Sequence, residues 1–166
     1  MSEPDFSRVR ALLFDVDGVM TDGRLLASET GHLLRSLNVR DGYALKLALE
    51  AGLRIAIVTG GRSEGVRQRF AGLGVVDYYS GVDDKLPTVA AYLRRHGVPA
   101  TEALYMGDDL PDLEALRYVG LGCAPADAVP EALDAADYST ERRGGRGCVR
   151  EVVERVLRAR ASWPVA

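Results

Sequence analysis

Short, β-rich apolar runs alternate along this chain with longer segments of helical period, a pattern that few folds can accommodate. Residues 9–14, 54–58, 75–79, 103–106 and 119–122 read as core strands. Residues 43–50, 65–73, 86–95 and 112–118 read as the helices between them, with a last helix over 148–160. This alternation predicts an α/β fold with a parallel central sheet flanked by helices, because parallel neighbours need a crossover long enough to hold one. Gly52, Gly74 and Gly97 fall where helix C-terminal caps belong. Ligand chemistry is expected at the carboxyl ends of such strands.

One segment departs from the alternation. Residues 24–27 and 32–39 are apolar-rich and flank the turn-forming sequence Ser28-Glu29-Thr30-Gly31, which predicts a β-hairpin inserted after the first strand. An isolated two-stranded ribbon is marginal in water, so Leu25, Leu26, Leu33, Leu34 and Leu37 need a surface to cover them, either their own domain or other subunits. Residues 141–147, rich in glycine and arginine, read as a flexible basic stretch before the last helix.

The 166 residues, 47% of them hydrophobic, suit one domain spanning 1–166. A net charge of -3, with arginines dispersed among acids, gives no electrostatic footprint for nucleic acid or an anionic membrane. No stretch approaches the roughly 18 apolar residues of a membrane span. Met1-Ser2-Glu3-Pro4-Asp5 lacks the basic start and apolar run of a secretion signal, so the expected location is the cytoplasm. Cys123 and Cys148 have no metal-ligand spacing and are too few for a disulfide framework, so buried thiols are expected.

Four strand ends carry reactive side chains. Asp15 and Asp17 follow the first strand, and two carboxylates there need a cation, a proton or solvent. Val58-Thr59-Gly60 closes the second core strand with a hydroxyl and an unhindered N–H, a pair suited to phosphate oxygens. Lys85, after Asp83-Asp84, opens a helix, where the dipole disfavours a cation. Gly107-Asp108-Asp109-Leu110-Pro111-Asp112 packs three carboxylates after another strand, a cluster that calls for a metal ion or a lysine. Each feature alone also fits a plain structural turn; the ordered set of four does not.

That ordered set resembles the four motifs of the haloacid dehalogenase superfamily, whose phosphatases form an aspartyl-phosphate intermediate. The resemblance implies the Rossmann-like fold of that superfamily and a Mg²⁺-dependent phosphomonoester hydrolase. By the same resemblance Asp15 is the nucleophile, Asp17 the general acid and base, and Thr59 and Gly60 hold the phosphoryl group while Lys85 neutralises it. Asp15, the Asp17 carbonyl and Asp108 would bind the metal, with Asp109 and Asp112 orienting the ligands. The resemblance is consistent with the chemistry, since an ordinary ionised aspartate is repelled by a phosphate dianion unless cations offset the charge. Asp17 must be protonated for the first half-reaction, and a neighbouring carboxylate is one way to favour that.

Only about 40 residues separate Asp17 from Thr59 and about 50 separate Thr59 from Asp108, most of them consumed by core elements, so no cap domain fits beyond the hairpin. Further segments, among them Asp15 to Gly23, Asn38-Val39-Arg40-Asp41-Gly42-Tyr43 and Gly144-Gly145-Arg146-Gly147-Cys148, are similar to the capless branch that contains 3-deoxy-D-manno-octulosonate 8-phosphate phosphatase. The resemblance implies a small phosphorylated sugar acid as substrate, with Asp17, Asn38, Val39, Arg40, Asp41, Gly42, Lys46, Gly60, Gly61, Arg69 and Lys85 at substrate-binding positions. It also implies a homotetramer in which four hairpins form a central barrel and neighbouring chains complete each site. Read without the resemblance, Asn38 to Gly42 is a helix N-terminus capped by Asp41.

Two positions depart from the family pattern. It commonly has Thr-Gly-Arg at the second motif, whereas here Thr59-Gly60-Gly61 is followed by Arg62; Lys46 stands where arginine is usual. Arginine's fork suits a carboxylate better than lysine's point charge, so both changes concern recognition of the sugar acid. They keep open a nine-carbon ulosonate 9-phosphate or another phosphosugar as substrate. Two readings from other classes are a catalytically silent interaction module and a receiver-type signalling domain. A receiver needs its phosphorylated aspartate after the third strand, where only Asp77 is acidic.

Overall fold

The computed structural model describes residues 4–165. Its strands are β1 (Ala11–Phe14), β2 (Leu26–Ala27), β3 (Leu33–Leu34), β4 (Arg54–Thr59), β5 (Asp77–Ser80), β6 (Ala103–Met106), β7 (Leu121–Ala124) and β8 (Tyr138–Ser139). Its α-helices are α1 (Val39–Glu50), α2 (Glu64–Gly72), α3 (Lys85–His96), α4 (Leu113–Tyr118), α5 (Pro130–Ala135) and α6 (Cys148–Ala159). Six strands form one sheet in the order β5-β4-β1-β6-β7-β8, with every pairing parallel, and β2 and β3 form a separate antiparallel ribbon. The α/β expectation holds.

β1 is buried along its whole length, as a central parallel strand must be when helices cover both faces. Its side chains alternate between two cores. Leu12 and Phe14 join the layer containing residues of α1, α2 and α6, while Ala11 and Leu13 join the layer containing α3, α4 and α5. From β1 the chain builds outward through β4 and β5, then crosses back to place β6 on the other side of β1. That reversal opens a crevice at the carboxyl ends of β1 and β6. Asp15 and Asp108 follow those two strands.

Several boundaries differ from the sequence expectation. The strand expected over 75–79 is displaced to Asp77–Ser80, because the Val75 N–H still closes the end of α2 on the Phe70 carbonyl at 3.0 Å. The strand expected over 119–122 is displaced to Leu121–Ala124. Val119 caps α4, and the Gly120 N–H donates to Ala100 O at 2.7 Å, so pairing begins afterwards. α5 and β8 extend the sheet side beyond β7 and were not expected. Two strand residues leave too short an apolar run to recognise.

The hairpin turns where Ser28 to Gly31 predicted, but its ladder has only two residue pairs, Leu26 with Leu34 and Ala27 with Leu33. The second arm does not reach Val39. Asn38 caps α1 by accepting from the Arg40 N–H at 2.9 Å, so Val39 opens the helix instead, and Asn38 takes the capping place expected for Asp41. Leu37 packs on the core, while Leu25, Leu26, Leu33 and Leu34 are exposed. Residues 141–147 are not a loose stretch. A Cβ on Gly144 would lie 1.9 Å from the Gly18 carbonyl oxygen, and the Gly145 N–H donates to Val19 O at 2.9 Å, so this segment is seated directly on the loop after β1.

Candidate active site

The loop after β1 is wound tightly around Val16, whose carbonyl accepts from the N–H groups of Val19, Met20 and Thr21. The buried Thr21 hydroxyl accepts from the Gly18 and Gly23 N–H groups, fixing the loop from within. Gly18 has φ +93°, and a Cβ there would lie 1.9 Å from Asp108 Oδ2. The glycine therefore serves two needs: a left-handed backbone and the close approach of Asp108 to the β1 loop.

Asp15, Asp108 and Asp112 form a cluster in which one carboxylate oxygen from each lies within 4.8 Å of the others. Lys85 enters from the start of α3, where its buried ammonium contacts Asp15 Oδ1 at 2.9 Å and Asp112 Oδ1 at 2.6 Å. Burial works against the lysine's charge, but the two carboxylates outweigh it and raise its pKa. Burial pushes Asp15 up to about 6, with Lys85 opposing and Asp112 reinforcing the shift. Asp108 is pushed up to about 8 by burial and then by the charges of Asp15 and Asp112. One lysine thus leaves the cluster short of positive charge, and the buried Asp108 Oδ1 has no hydrogen-bond partner among the described residues. An oxygen-rich, hard-cation site such as one for Mg²⁺ fits that deficit.

Asp112 has a different part. Its Oδ1 accepts from Lys85 Nζ and the Tyr105 hydroxyl, each at 2.6 Å, and its Oδ2 accepts from the Asp108 and Asp109 N–H groups at 3.0 and 3.2 Å. Both oxygens are engaged in holding the loop and the lysine. A Cβ on Gly107 would lie 2.3 Å from Asp112 Cγ, so glycine there is what lets the carboxylate fold back beneath the loop. Asp109 is exposed and caps the 3₁₀ turn Leu110–Asp112 by accepting from the Leu110 N–H at 2.7 Å, which presents Asp112 from the chain.

Thr59, buried at the end of β4, accepts from the Gly61 N–H at 3.1 Å. Asp17 is partnered by a guanidinium rather than by a second carboxylate: Arg35 Nε donates to Oδ1 at 2.7 Å and Nη2 donates to Oδ2 at 2.9 Å. Sequence reasoning did not single out Arg35, because a lone basic residue on a hairpin arm carries no motif. Tyr105, inside an expected core strand, and Thr21, inside the Asp15 to Gly23 segment, were given no role of their own because neither a buried tyrosine nor a loop threonine carries a motif alone.

The expected sugar contacts divide. Asn38 Nδ2 donates to Gly145 O at 3.3 Å, and the buried Asp41 accepts from the Arg150 N–H at 2.8 Å, so both tie the start of α1 to the start of α6 and its preceding loop. Burial pushes Asp41 up to about 6. Val39, Arg40, Lys46 and Arg69 are exposed, with Arg69 lying against Gly42. No hydrogen bond or ion pair among the described residues joins Arg40, Lys46 or Arg69 to the acidic cluster.

Against known proteins, residues 71–150 match a family model described as haloacid dehalogenase-like hydrolase. The 3-deoxy-D-manno-octulosonate 8-phosphate phosphatase of Salmonella typhi is 41% identical over 151 residues, which are 91% of this chain and 80% of that protein. The phosphatase of the same name from Escherichia coli K12 is 40% identical over the same shares of the two chains. Among solved structures, the Yersinia pestis phosphatase of that name superposes with a TM-score of 0.93 at 38% identity, covering 95% of this chain and 85% of that one. The Moraxella catarrhalis phosphatase, solved with magnesium, phosphate and KDO, gives a TM-score of 0.92 at 33% identity, covering 95% of this chain and 90% of that one.

Proposed function

The chain belongs to the 3-deoxy-D-manno-octulosonate 8-phosphate phosphatase family of haloacid dehalogenase-like hydrolases, and from that premise we propose that it hydrolyses the phosphomonoester of this eight-carbon sugar acid with Mg²⁺ as cofactor. The observation that carries the reading is the arrangement of Asp15, Lys85 and Asp108: a carboxylate poised as nucleophile, a fixed ammonium beside it, and a second carboxylate whose Oδ1 lacks a hydrogen-bond partner among the described residues.

In this reading Asp15 attacks phosphorus and displaces the sugar hydroxyl, giving an aspartyl phosphate that water then hydrolyses. Lys85 offsets the negative charge of the incoming phosphate and, through its contacts with Asp15 and Asp112, holds the nucleophile in place. Thr59 Oγ1 and the Gly60 N–H receive the transferring phosphoryl oxygens. Asp17 gives a proton to the leaving oxygen and takes one from the attacking water, which requires one of its oxygens to leave its Arg35 contact during the cycle. Asp15, Asp108 and the Asp17 carbonyl would hold Mg²⁺, which would supply charge neutralisation at the phosphate. Asp112 positions the lysine and the Asp108 loop, and Asp109 shapes the turn that brings Asp112 in.

Sugar recognition is assigned to Val39, Arg40, Lys46, Gly61 and Arg69, some of which would serve a site on a neighbouring chain, whereas Asn38, Asp41 and Gly42, expected among the sugar contacts, hold the start of α1 in place instead. The four exposed hairpin leucines support a homotetramer with a shared barrel, since an apolar ribbon of that kind is covered in a stable protein. No helix among the described residues is long and apolar enough to cross a membrane. Gly61 and Lys46 favour one second reading, a nine-carbon ulosonate 9-phosphate, because they alter the groups available to the sugar acid.

The test is a phosphate-release screen with Mg²⁺ over eight- and nine-carbon ulosonate phosphates, hexose phosphates and pentose phosphates, with Asp15→Asn as control. We expect a preference for the eight-carbon substrate and a loss on the order of 10⁴-fold or more in Asp15→Asn. Undiminished turnover in that variant sinks the mechanism. A tenfold preference for simple sugar phosphates sinks the substrate.

A further inference from the structure

Arg35 leaves the exposed hairpin, yet only 5% of its side chain is exposed. The guanidinium is held at both ends, by the two oxygens of Asp17 and by Leu33 O, which accepts from Nη1 at 3.1 Å. Of its five N–H donors these contacts use three, leaving one on each terminal nitrogen. A pair of that kind matches the two oxygens of a carboxylate.

The space Arg35 occupies belongs to residue 61. A Cβ on Gly61 would lie 2.7 Å from Arg35 Nη2 and 3.0 Å from Asp17 Oδ2. Gly61 is absent from the glycines with positive φ, so its backbone makes no demand for glycine; the demand comes from the guanidinium lying over it. The next residue does not compete for this place, because the Arg62 guanidinium lies against Gly81. Arg35 is therefore the arginine that borders the site beside Asp17, whereas Arg40, Lys46 and Arg69 have no ion pair to the acidic cluster among the described residues.

We propose that Arg35 determines specificity by presenting its two remaining N–H groups to the carboxylate of the sugar acid, and that Gly61 is the position that admits it. The inference rests on the sugar-acid phosphatase reading above and deepens it. It makes the arginine over the second strand end a contribution of the hairpin rather than of the β4 loop. It also links substrate choice to the element left uncovered on the surface of one chain.

The test compares kcat/KM for 3-deoxy-D-manno-octulosonate 8-phosphate with that for D-arabinose 5-phosphate, which offers a phosphate and hydroxyls but no carboxylate. Any loss that passes through Asp17 falls on both substrates and cancels in the ratio. Arg35→Met should lower the sugar-acid preference about tenfold or more, chiefly through KM for the acid, and Arg35→Lys should retain part of it. Gly61→Ala, with Arg35 intact, should lower the ratio by about threefold because its methyl group displaces the guanidinium. An unchanged ratio in Arg35→Met and Gly61→Ala overturns the inference and reduces Arg35 to a clasp on Asp17. A wild-type enzyme with no preference for the acid overturns the sugar-acid reading itself and this inference with it. Should Arg35→Met fail to fold, Arg35→Lys and Gly61→Ala decide the same ratio.

Discussion

The floor and the rim of this site hold their charges in different ways. On the floor, Asp15, Asp108 and Asp112 share one lysine in a buried setting, so their positions are fixed by core strands and their protonation by each other. At the rim, Asp17 and Arg35 form a one-to-one pair between a loop and a hairpin whose leucines face solvent. The floor keeps an imbalance of charge that suits a metal and a phosphate; the rim is balanced until an anion arrives. The chemistry is thus assigned to the buried floor, and choice of substrate to a rim that depends on an exposed insertion.

The contrast breaks most readily at Gly18. Gly18→Ala sets a methyl group against Asp108 Oδ2, so phosphate release should fall on the order of 10²-fold and the Mg²⁺ requirement should rise. A Mg²⁺ titration identical to wild type would remove Asp108 from the metal site. Lys85→Met leaves Asp15 and Asp112 without their buried counter-charge and should cost roughly 3 kcal/mol in metal-free denaturation. Equal or greater stability of that variant would show that the floor is held by packing alone.

A pH series sharpens the same point with a smaller effect. Asp15 and Asp108 titrate above the ordinary value of 3.8, at about 6 and about 8, so the folded protein binds their protons more tightly than the unfolded chain does. Metal-free stability should therefore decline as pH rises from about 4 to about 8, and the stabilisation by Mg²⁺ should grow across that window. The raised pKa of Lys85 acts at pH well above that window and with the same sign, since there too the folded protein holds the proton more tightly than the unfolded chain. A metal-free melting temperature that climbs through the window contradicts the burial assigned to these carboxylates.

The smallest effect on one chain's stability is expected at the rim. Leu26→Lys with Leu34→Lys should dissociate the proposed homotetramer, with molar mass by light scattering as the readout, while changing the stability of the isolated chain by only about 0.5 kcal/mol, because both leucines are exposed within it. An unaltered molar mass would detach the hairpin from assembly.

Much of the floor was legible beforehand because a central parallel strand announces itself as an apolar run, and its first polar residues are then conspicuous. Asp15, Thr59 and Asp108 were found in this way and Lys85 as a cation at a helix start, and the structure gathers Asp15, Lys85 and Asp108 at the crossover of the sheet. Strand ends were harder to place. The starts of β5 and β7 depend on where α2 and α4 finish, and hydrogen bonds from Val75 and Gly120 settle that. The extent of the hairpin was also misjudged, since apolar residues as far as Val39 read as strand until Asn38 is seen to cap a helix.

The sequence by itself determined the alternating architecture and the order of the reactive groups, because periodicity and strand-end chemistry are local properties. Only the tertiary structure decided that Asp112 is engaged at both oxygens, that the Gly144 segment is seated on the β1 loop, and that Arg35 lies over Gly61. Each of those depends on atoms brought together from distant parts of the chain, with clearances of an ångström or so that no linear spacing encodes.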